Sequence, residues 1–571
     1  MRNDNYWQKF QRQRISRRRL LAAGGVGAAG LALVAACGGD DEPTADGTPE
    51  GTPGASGAPV RGGKWAFAIT VDWGTIDPVT SVATGPQIFP RIYNTLVEQS
   101  RVNPEFLYAD LAEAAPEQPD AQTFIYTIRQ GVKIAPNALT IPERDLDAND
   151  AKVWLDRVQA DETAVPRAMT NQYLDTYEAS ADGRTFTINL KSPYSYFLLR
   201  LGAALGGTIP PREFFEQNIS LKDQGVGAGP FMIRPGTYQE TGGIVLDRNP
   251  NYYRKDEATG EQLPYIDALE AFRISDRQAR RTAFQSKQIH EYGAENAAEA
   301  AQLEQDIPGL QVFEEPSNQH ISFTMHPEKA PWTDERIRRA AMLALDRQQF
   351  VDLIVGTENG KIDGLVHWQL GPFALPEDEL ATLQPYDPAG ARELIRAVTG
   401  EDTITIKVMY PITDFQFHDQ HLPIWRQQME AAGFVLDVEP LDLTAWLTRY
   451  TQLQYDSSLS ANRAYETAEI PLDFHAAHGP QGDDLYAVGL GKIDAEVEAA
   501  ITASKQAGSS EEHIQRVLDA QRLIYQKGPA FLPIMSWTTF DLRHGFVKNY
   551  PPGIGESDWY VNDWWLEGQP S

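Results

Sequence analysis

The chain is almost without cysteine: 571 residues contain one, Cys37. A single thiol has no partner for an internal disulfide. Basic residues are scarce once the N-terminus is passed. The first 36 residues hold seven of the 50 Lys and Arg but one of the 79 Asp and Glu, leaving 43 basic and 78 acidic side chains and a formal charge of −35. Such a body repels nucleic acid and anionic lipid surfaces, so no nucleic-acid partner is expected. Long apolar runs are missing as well. Leu20 to Ala36 spans 17 residues, four of them glycine, where a membrane-spanning helix needs about 20 predominantly apolar residues. Catalytic signatures are absent beyond Cys37: no G-x-S-x-G elbow, no H-E-x-x-H and no Walker loop. A glycosidase needs only two carboxylates at the right separation, so a secreted hydrolase stays open as a reading of a different class.

What is present begins at the N-terminus. Ser16-Arg17-Arg18-Arg19-Leu20-Leu21 leads into the apolar run, which ends in Leu33-Val34-Ala35-Ala36-Cys37. A basic region, a hydrophobic stretch and small residues before a cysteine read as an export signal over residues 1–36. The arginine pair resembles a twin-arginine address; an ordinary basic region of the general secretory route is the alternative. Gly25-Val26-Gly27-Ala28-Ala29-Gly30 spells G-x-G-x-x-G inside this signal. It lacks the preceding strand that a dinucleotide site requires. Cys37 is the expected lipid anchor, because a thioether-linked diacylglycerol carries two chains, enough for stable attachment to a membrane. Residues 37–62 are rich in Gly, Pro, Thr and Ala and read as a disordered tether. The expected location is extracytoplasmic, at the cell surface or the periplasmic face.

Strand and helix signals alternate through the remaining 500 or so residues, which predicts α/β layers in two or three lobes. Lys64 to Val71 reads as a first strand. Thr123 to Arg129 and Thr185 to Leu190 alternate with period two. Asn149 to Val158 reads as a helix capped near Asn149 or Asp150, and Thr333-Asp334-Glu335-Arg336 starts another that runs through Phe350. Helices are also predicted from Asp387, over Leu422 to Ala432 and over Glu511 to Gln526. β-type runs are predicted over Thr403 to Met409, Phe434 to Val438 and Phe531 to Phe540.

Ten segments in order resemble one family. They are Arg91 to Val97 ("iyepLv"), Asp110 to Glu113 with Tyr126 to Lys133 ("LAesW…ytftLRdGvkf"), Leu146 to Ala151 ("ltAeDV") and Ile188 to Tyr194 ("fkLkkPy"). Gly227 to Phe231 stands at GTGPY and Arg248 to Tyr253 at "rNpdYw". Ile321 to Thr324, Asp334 to Ala340 and Ala344 to Arg347 stand at "lafN…D.rVRqAi..AiDr". From Arg61 to Leu566 the chain is similar to the family 5 extracellular solute-binding proteins of ABC importers, the oligopeptide-, dipeptide- and nickel-binding group. Ala115 stands in place of the family's Trp, Ala228 in place of its Thr, and Ser286 to His290 in place of "sGeiD".

The resemblance implies an α/β, two-lobed periplasmic-binding-protein-like fold (type II, cluster C) with an extra domain inserted in the first lobe. It implies lobe one over residues 63–320, with the insertion at about 100–225, lobe two over 321–530, and a C-terminal return over 531–571. It implies no catalysis and no cofactor, a peptide ligand buried by lobe closure, a permease with its ATPases as partner, and a monomer. An oligosaccharide, or nickel or a metal chelate, is the alternative ligand.

The resemblance directs the ligand to Asp72 and Trp73 after the first strand, to His367 and Trp368, to Asn462, Arg463, Tyr465 and Glu466, and to Trp537. Peptide binders carry "aDypdP" in lobe two, where the Asp takes the peptide ammonium. The matching stretch, Asn462 to Pro471, has no Asp; Glu466 or Glu469 is the substitute. Arg463 suits a ligand carboxylate. His418 with His421, and His475 with His478, are spaced to share a helix face, short of the three or four ligands that zinc requires.

Overall fold

The structure is a computed structural model. It describes residues 58–70, 75–81, 88–99, 107–164, 166–194, 197–202, 207–256, 258–412, 418–463, 468–477, 489–507, 510–549 and 563–568.

β1 (Lys64–Ile69) buries Trp65, Phe67 and Ile69. β2 (Val97–Gln99) and β3 (Leu107–Ala109) pair antiparallel. β4 (Thr123–Thr127), β5 (Leu174–Ala179) and β6 (Thr185–Leu190) form a three-stranded sheet in the order β4-β6-β5. Alternation along it buries Phe124 and Tyr126 on one strand and Phe186, Ile188 and Leu190 on another. The helix Ala148–Ala160 lies against this sheet. Its cap is Asp147, earlier than expected, because Asp147 and Asp150 form a reciprocal capping box. β7 (Phe231–Ile233), β8 (Ile244–Arg248) and β9 (Ala268–Arg273) join β1 in the order β1-β9-β8-β7, with β1 and β9 parallel. One hydrophobic core runs through both sheets, from Trp65 through Trp154 and Phe186 to Leu246. This body is the first lobe.

Several of the recognised segments meet inside this lobe at one buried carboxylate. Asn94 Nδ2 donates to Asp110 Oδ1 at 2.8 Å, and the Thr95 N–H donates to Oδ2 at 2.8 Å. The Tyr253 hydroxyl donates to Oδ1 at 2.7 Å, and Arg254 lies 3.2 Å away. A buried charge is tolerable only when paired and hydrogen-bonded in this way. The glycines of Gly227-Ala228-Gly229 serve sterics. A Cβ on Gly227 would lie 2.1 Å from the Ile92 carbonyl oxygen, and the Gly229 N–H donates to that oxygen at 2.9 Å.

The chain then leaves the first core. β10 (Glu291–Ala294) precedes the 15-residue β11 (Gln311–Met325). β12 (Gly360–Ile362), β13 (Ile404–Ile412), β14 (Phe434–Asp442), β15 (Ser457–Arg463) and the 13-residue β16 (Phe531–Arg543) complete a sheet ordered β10-β16-β11-β15-β13-β14, with β12 on β16. A second core gathers Phe323, Trp332, Trp425, Leu459 and Ile534; this is the second lobe. The helix expected to run to Phe350 is two, Glu335–Leu343 and Arg347–Ile354, because Asp346 caps the second through the Gln349 N–H. Arg338, 3% exposed, ties the first of these helices to the carbonyls of Trp332, Lys527 and Gly528.

β11 and β16 run antiparallel through both bodies. One end of the pair lies in the second core. At the other end Phe540 and Leu542 join a small cluster with Phe284, Tyr292 and Leu303, onto which Ala68 and Phe272 of the first sheet pack. Finally β17 (Val547–Lys548) pairs with β18 (Trp565–Leu566). Val547, Trp564 and Leu566 sit in the first core, with the Trp564 ring edge-on to Trp65 at 4.5 Å. Among the described residues, no helix is long and apolar enough to cross a membrane.

Candidate functional site

The paired strands β11 and β16 are interrupted between the lobes. Pro316 stands opposite Thr538 and His320 opposite Ser536, so residues 317–319 face Trp537 alone. Extra residues of this kind break the ladder and bend the strand. The break is surrounded by polar and aromatic side chains from the segment after β12. Gly360 opens β12 where a Cβ would lie 2.5 Å from Val355 Cγ2. The chain then turns inward at Asp363, and His367 caps the short helical turn Trp368–Phe373 by accepting the Gln369 N–H at Nδ1, 3.3 Å away.

That hydrogen bond fixes the tautomer of His367. With Nδ1 accepting, the proton sits on Nε2, which faces Asp363 Oδ2 at 3.5 Å. His320 Nδ1 approaches the same oxygen at 3.3 Å. All three side chains are buried. Burial acts to raise the Asp363 carboxyl, but His367, His320 and the Gly364 N–H outweigh it and hold the group below its ordinary value. Burial lowers the His367 imidazole, with Asp363 opposing. At neutral pH a carboxylate therefore sits between imidazoles, tying β11 to the segment after β12. Beside it, Trp368 Nε1 donates to Ser536 Oγ at 3.1 Å, and Lys361 Nζ lies 4.8 Å from the Trp368 ring centroid. Trp368 is half-buried, which leaves part of an aromatic face open.

Parallel α/β sheets place ligands outside the carboxyl ends of their strands. In the second lobe the parallel strands β13 and β15 end at Ile412 and Arg463. In the first lobe β1 ends at Ile69, and a recess of about 280 Å³ there is lined by Thr70, Arg280, Glu291, Tyr292, Asp541 and Arg543, among others.

The expected site residues fall into three groups. His367, Trp368 and Trp537 are brought together at the ladder break; Trp537 is 3% exposed and packs in the second core. Asn462 and Arg463 are the last residues of β15, positions at which only the backbone is described. Cys37, Asp72, Trp73, Tyr465 and Glu466 lie outside the described residues. Sequence reasoning missed Asp363, His320 and Ser536. The four-residue spacing of Asp363 and His367 was a local signal for the first of these; nothing local points to His320. His418 and His421 both stand on the helix His418–Ala431, and one member of each pair has a described side chain. His475 is a core residue whose Nε2 accepts the Phe531 N–H at 3.2 Å, and His421 stands edge-on to Tyr410. The His418 side chain and His478 lie outside the described residues. Among the described residues, no three His, Cys, Asp or Glu side chains are arranged to hold a metal ion.

Comparison with known proteins adds to this geometry. Residues 107–469 match the model of the bacterial extracellular solute-binding proteins, family 5, middle region. The di/tripeptide-binding protein 2 of Pseudomonas aeruginosa is 24% identical over 302 residues, 50% of this chain and 54% of that protein. The chain spans about half the length of the curated relatives it matches. Two solved structures superpose with a TM-score of 0.74. One is the periplasmic binding protein DppA of Helicobacter pylori with the peptide STSA, 18% identical, covering 89% of this chain and 99% of that one. The other is AgaA of A. tumefaciens R10 with agropinic acid, 16% identical, with the same coverage of both chains. Both support a two-lobed binding-protein fold.

Proposed function

Because the chain belongs to the bacterial extracellular solute-binding proteins of family 5, we propose that it is the receptor of an ABC importer. In this reading it captures a peptide-like solute between its two lobes and passes it to a membrane permease with partner ATPases. The observation that carries the reading is the interrupted β11–β16 ladder, with Trp368 half-exposed beside it and the carboxyl ends of β13 and β15 in the second lobe. A ligand that touches both lobes binds the closed form better than the open form, and this difference drives closure. No bond is made or broken. Peptides are favoured because the P. aeruginosa relative is named for di- and tripeptides and the H. pylori structure holds one. Trp368 serves as an aromatic wall, and Arg463 with Glu466 or Glu469 serves the two charged ends of a peptide. Lipid on Cys37 keeps the receptor beside its permease.

Native mass spectrometry of the purified mature chain, incubated with di- to pentapeptides in one arm and oligosaccharides in the other, tests this. A retained peptide is expected, together with a fall in radius of gyration. Trp368→Ala should weaken binding roughly tenfold, while Trp368→Phe should keep most of it. Retention of oligosaccharides alone, or products formed at catalytic rates, would overturn the reading.

A further inference from the structure

A second meeting of the lobes lies away from the ladder. In the first lobe the helix Arg167–Tyr173 ends at Tyr173, whose ring stacks on Tyr194 with centroids 4.0 Å apart and planes 8° apart. Both belong to the first core. Across from them, in the second lobe, stand Asp473, at the end of the helix Glu469–Asp473, and Lys505, at the end of the helix Ala495–Lys505. Their neighbours Leu472, Phe474, Val497 and Ile501 are second-core residues. Lys505 and Asp473 form an ion pair with side chains 8% and 7% exposed, and Lys505 Nζ lies 5.9 Å from the Tyr173 ring centroid.

A lysine ammonium is rarely buried to this degree. Burial acts to lower its pKa, yet Asp473 and Tyr173 together raise it, so the charge is retained. The C-terminal end of its own helix also favours a cation. The ion pair is internal to the second lobe and persists whichever way the lobes move. The aromatic face belongs to the first lobe and meets Lys505 only when the lobes are together. A cation over an aromatic ring gains most when both are desolvated.

We propose that Lys505, held by Asp473, is a closure latch that seats on Tyr173 of the first lobe and stabilises the closed receptor. The proposal rests on the reading that the lobes open and close. It gives the β4-β6-β5 sheet and its helices a part in capture: they carry the surface on which the second lobe locks.

The test is the distance between spin labels on Glu178→Cys, in β5, and Ala499→Cys, on the Lys505 helix, both exposed positions. It is made in the full chain carrying Cys37→Ser, without peptide and with trialanine. The parent is expected to show a short-distance population without peptide. Lys505→Met and Tyr173→Leu, which keep apolar volume, should each lower the ratio of short to long distances roughly tenfold, and the double variant should do no more than either single one. Unchanged distributions in both variants, or a parent without any short-distance population, would overturn the latch. A parent with the short-distance population that no peptide shifts would instead count against the solute reading and leave the latch standing.

Discussion

Asp363 is a fully buried carboxylate that faces two imidazoles and accepts one backbone N–H. Removing the carboxylate leaves the buried polar groups around it without their partner, at a cost of about 2 kcal/mol. Asp363→Ala is therefore expected to lose roughly that much in urea unfolding of the second lobe, and Asp363→Asn, which keeps the shape and one acceptor, distinctly less. Equal losses would show that the carboxylate's charge contributes nothing. How much of this was legible in the sequence differs residue by residue. Arg338 and Asp110 stand in recognisable segments because each satisfies several backbone or side-chain partners at once, a need that constrains both residue type and spacing. His320 faces a carboxylate 43 positions away, and no local pattern encodes such a distance. The ligand-facing candidates were legible only by resemblance, since loops at strand ends carry no periodicity.

Among the elements, the segment Gly227-Ala228-Gly229 shows most directly why a motif is what it is. Its backbone touches the backbone of Arg91 and Ile92, so the two segments identify each other. Gly227→Ala should cost about 2 kcal/mol or more by overpacking. Gly236→Ala should cost about 1 kcal/mol, since that glycine has a φ of +76° but open space around it. Denaturation midpoints compare the two, and the reverse order would mean that the Gly227 turn yields. Strands were well predicted both where one face is buried and where two are: Thr185 to Leu190 coincides with β6, and the continuous apolar run from Phe531 to Phe540 lies in β16, which goes on to Arg543. The helix expected through Phe350 failed because a capping aspartate outweighed continuous apolar spacing. The ladder break was not legible, because it depends on which residues of two distant strands stand opposite each other.

For the whole molecule, acidity is the informative variable. Burial lowers the imidazoles of His290, His475 and His513 to about 4. A histidine whose pKa is depressed on folding takes up its proton more readily when unfolded. Stability is therefore full above the unfolded value of about 6.5, falls as pH drops towards 4, and levels off below. For fully buried His475 the loss at pH 4 is about 3 kcal/mol. Melting temperature should fall steadily between pH 6.5 and 4, and His475→Gln should flatten that slope; an unchanged slope would mean that another group carries it. An extracytoplasmic protein meets such pH values directly.

The edge-on contact between Trp564 and Trp65 sets β18 and its neighbour against β1, far apart in sequence. Synthesis runs in one direction, so the first lobe waits with a gap in its interior until Trp564 and Leu566 emerge. The second lobe lies between and has all of its own residues earlier. The half of the protein whose core starts first is thus the half whose core is completed later, and a chain released before Trp564 would carry a complete second core beside a first core missing Trp564 and Leu566.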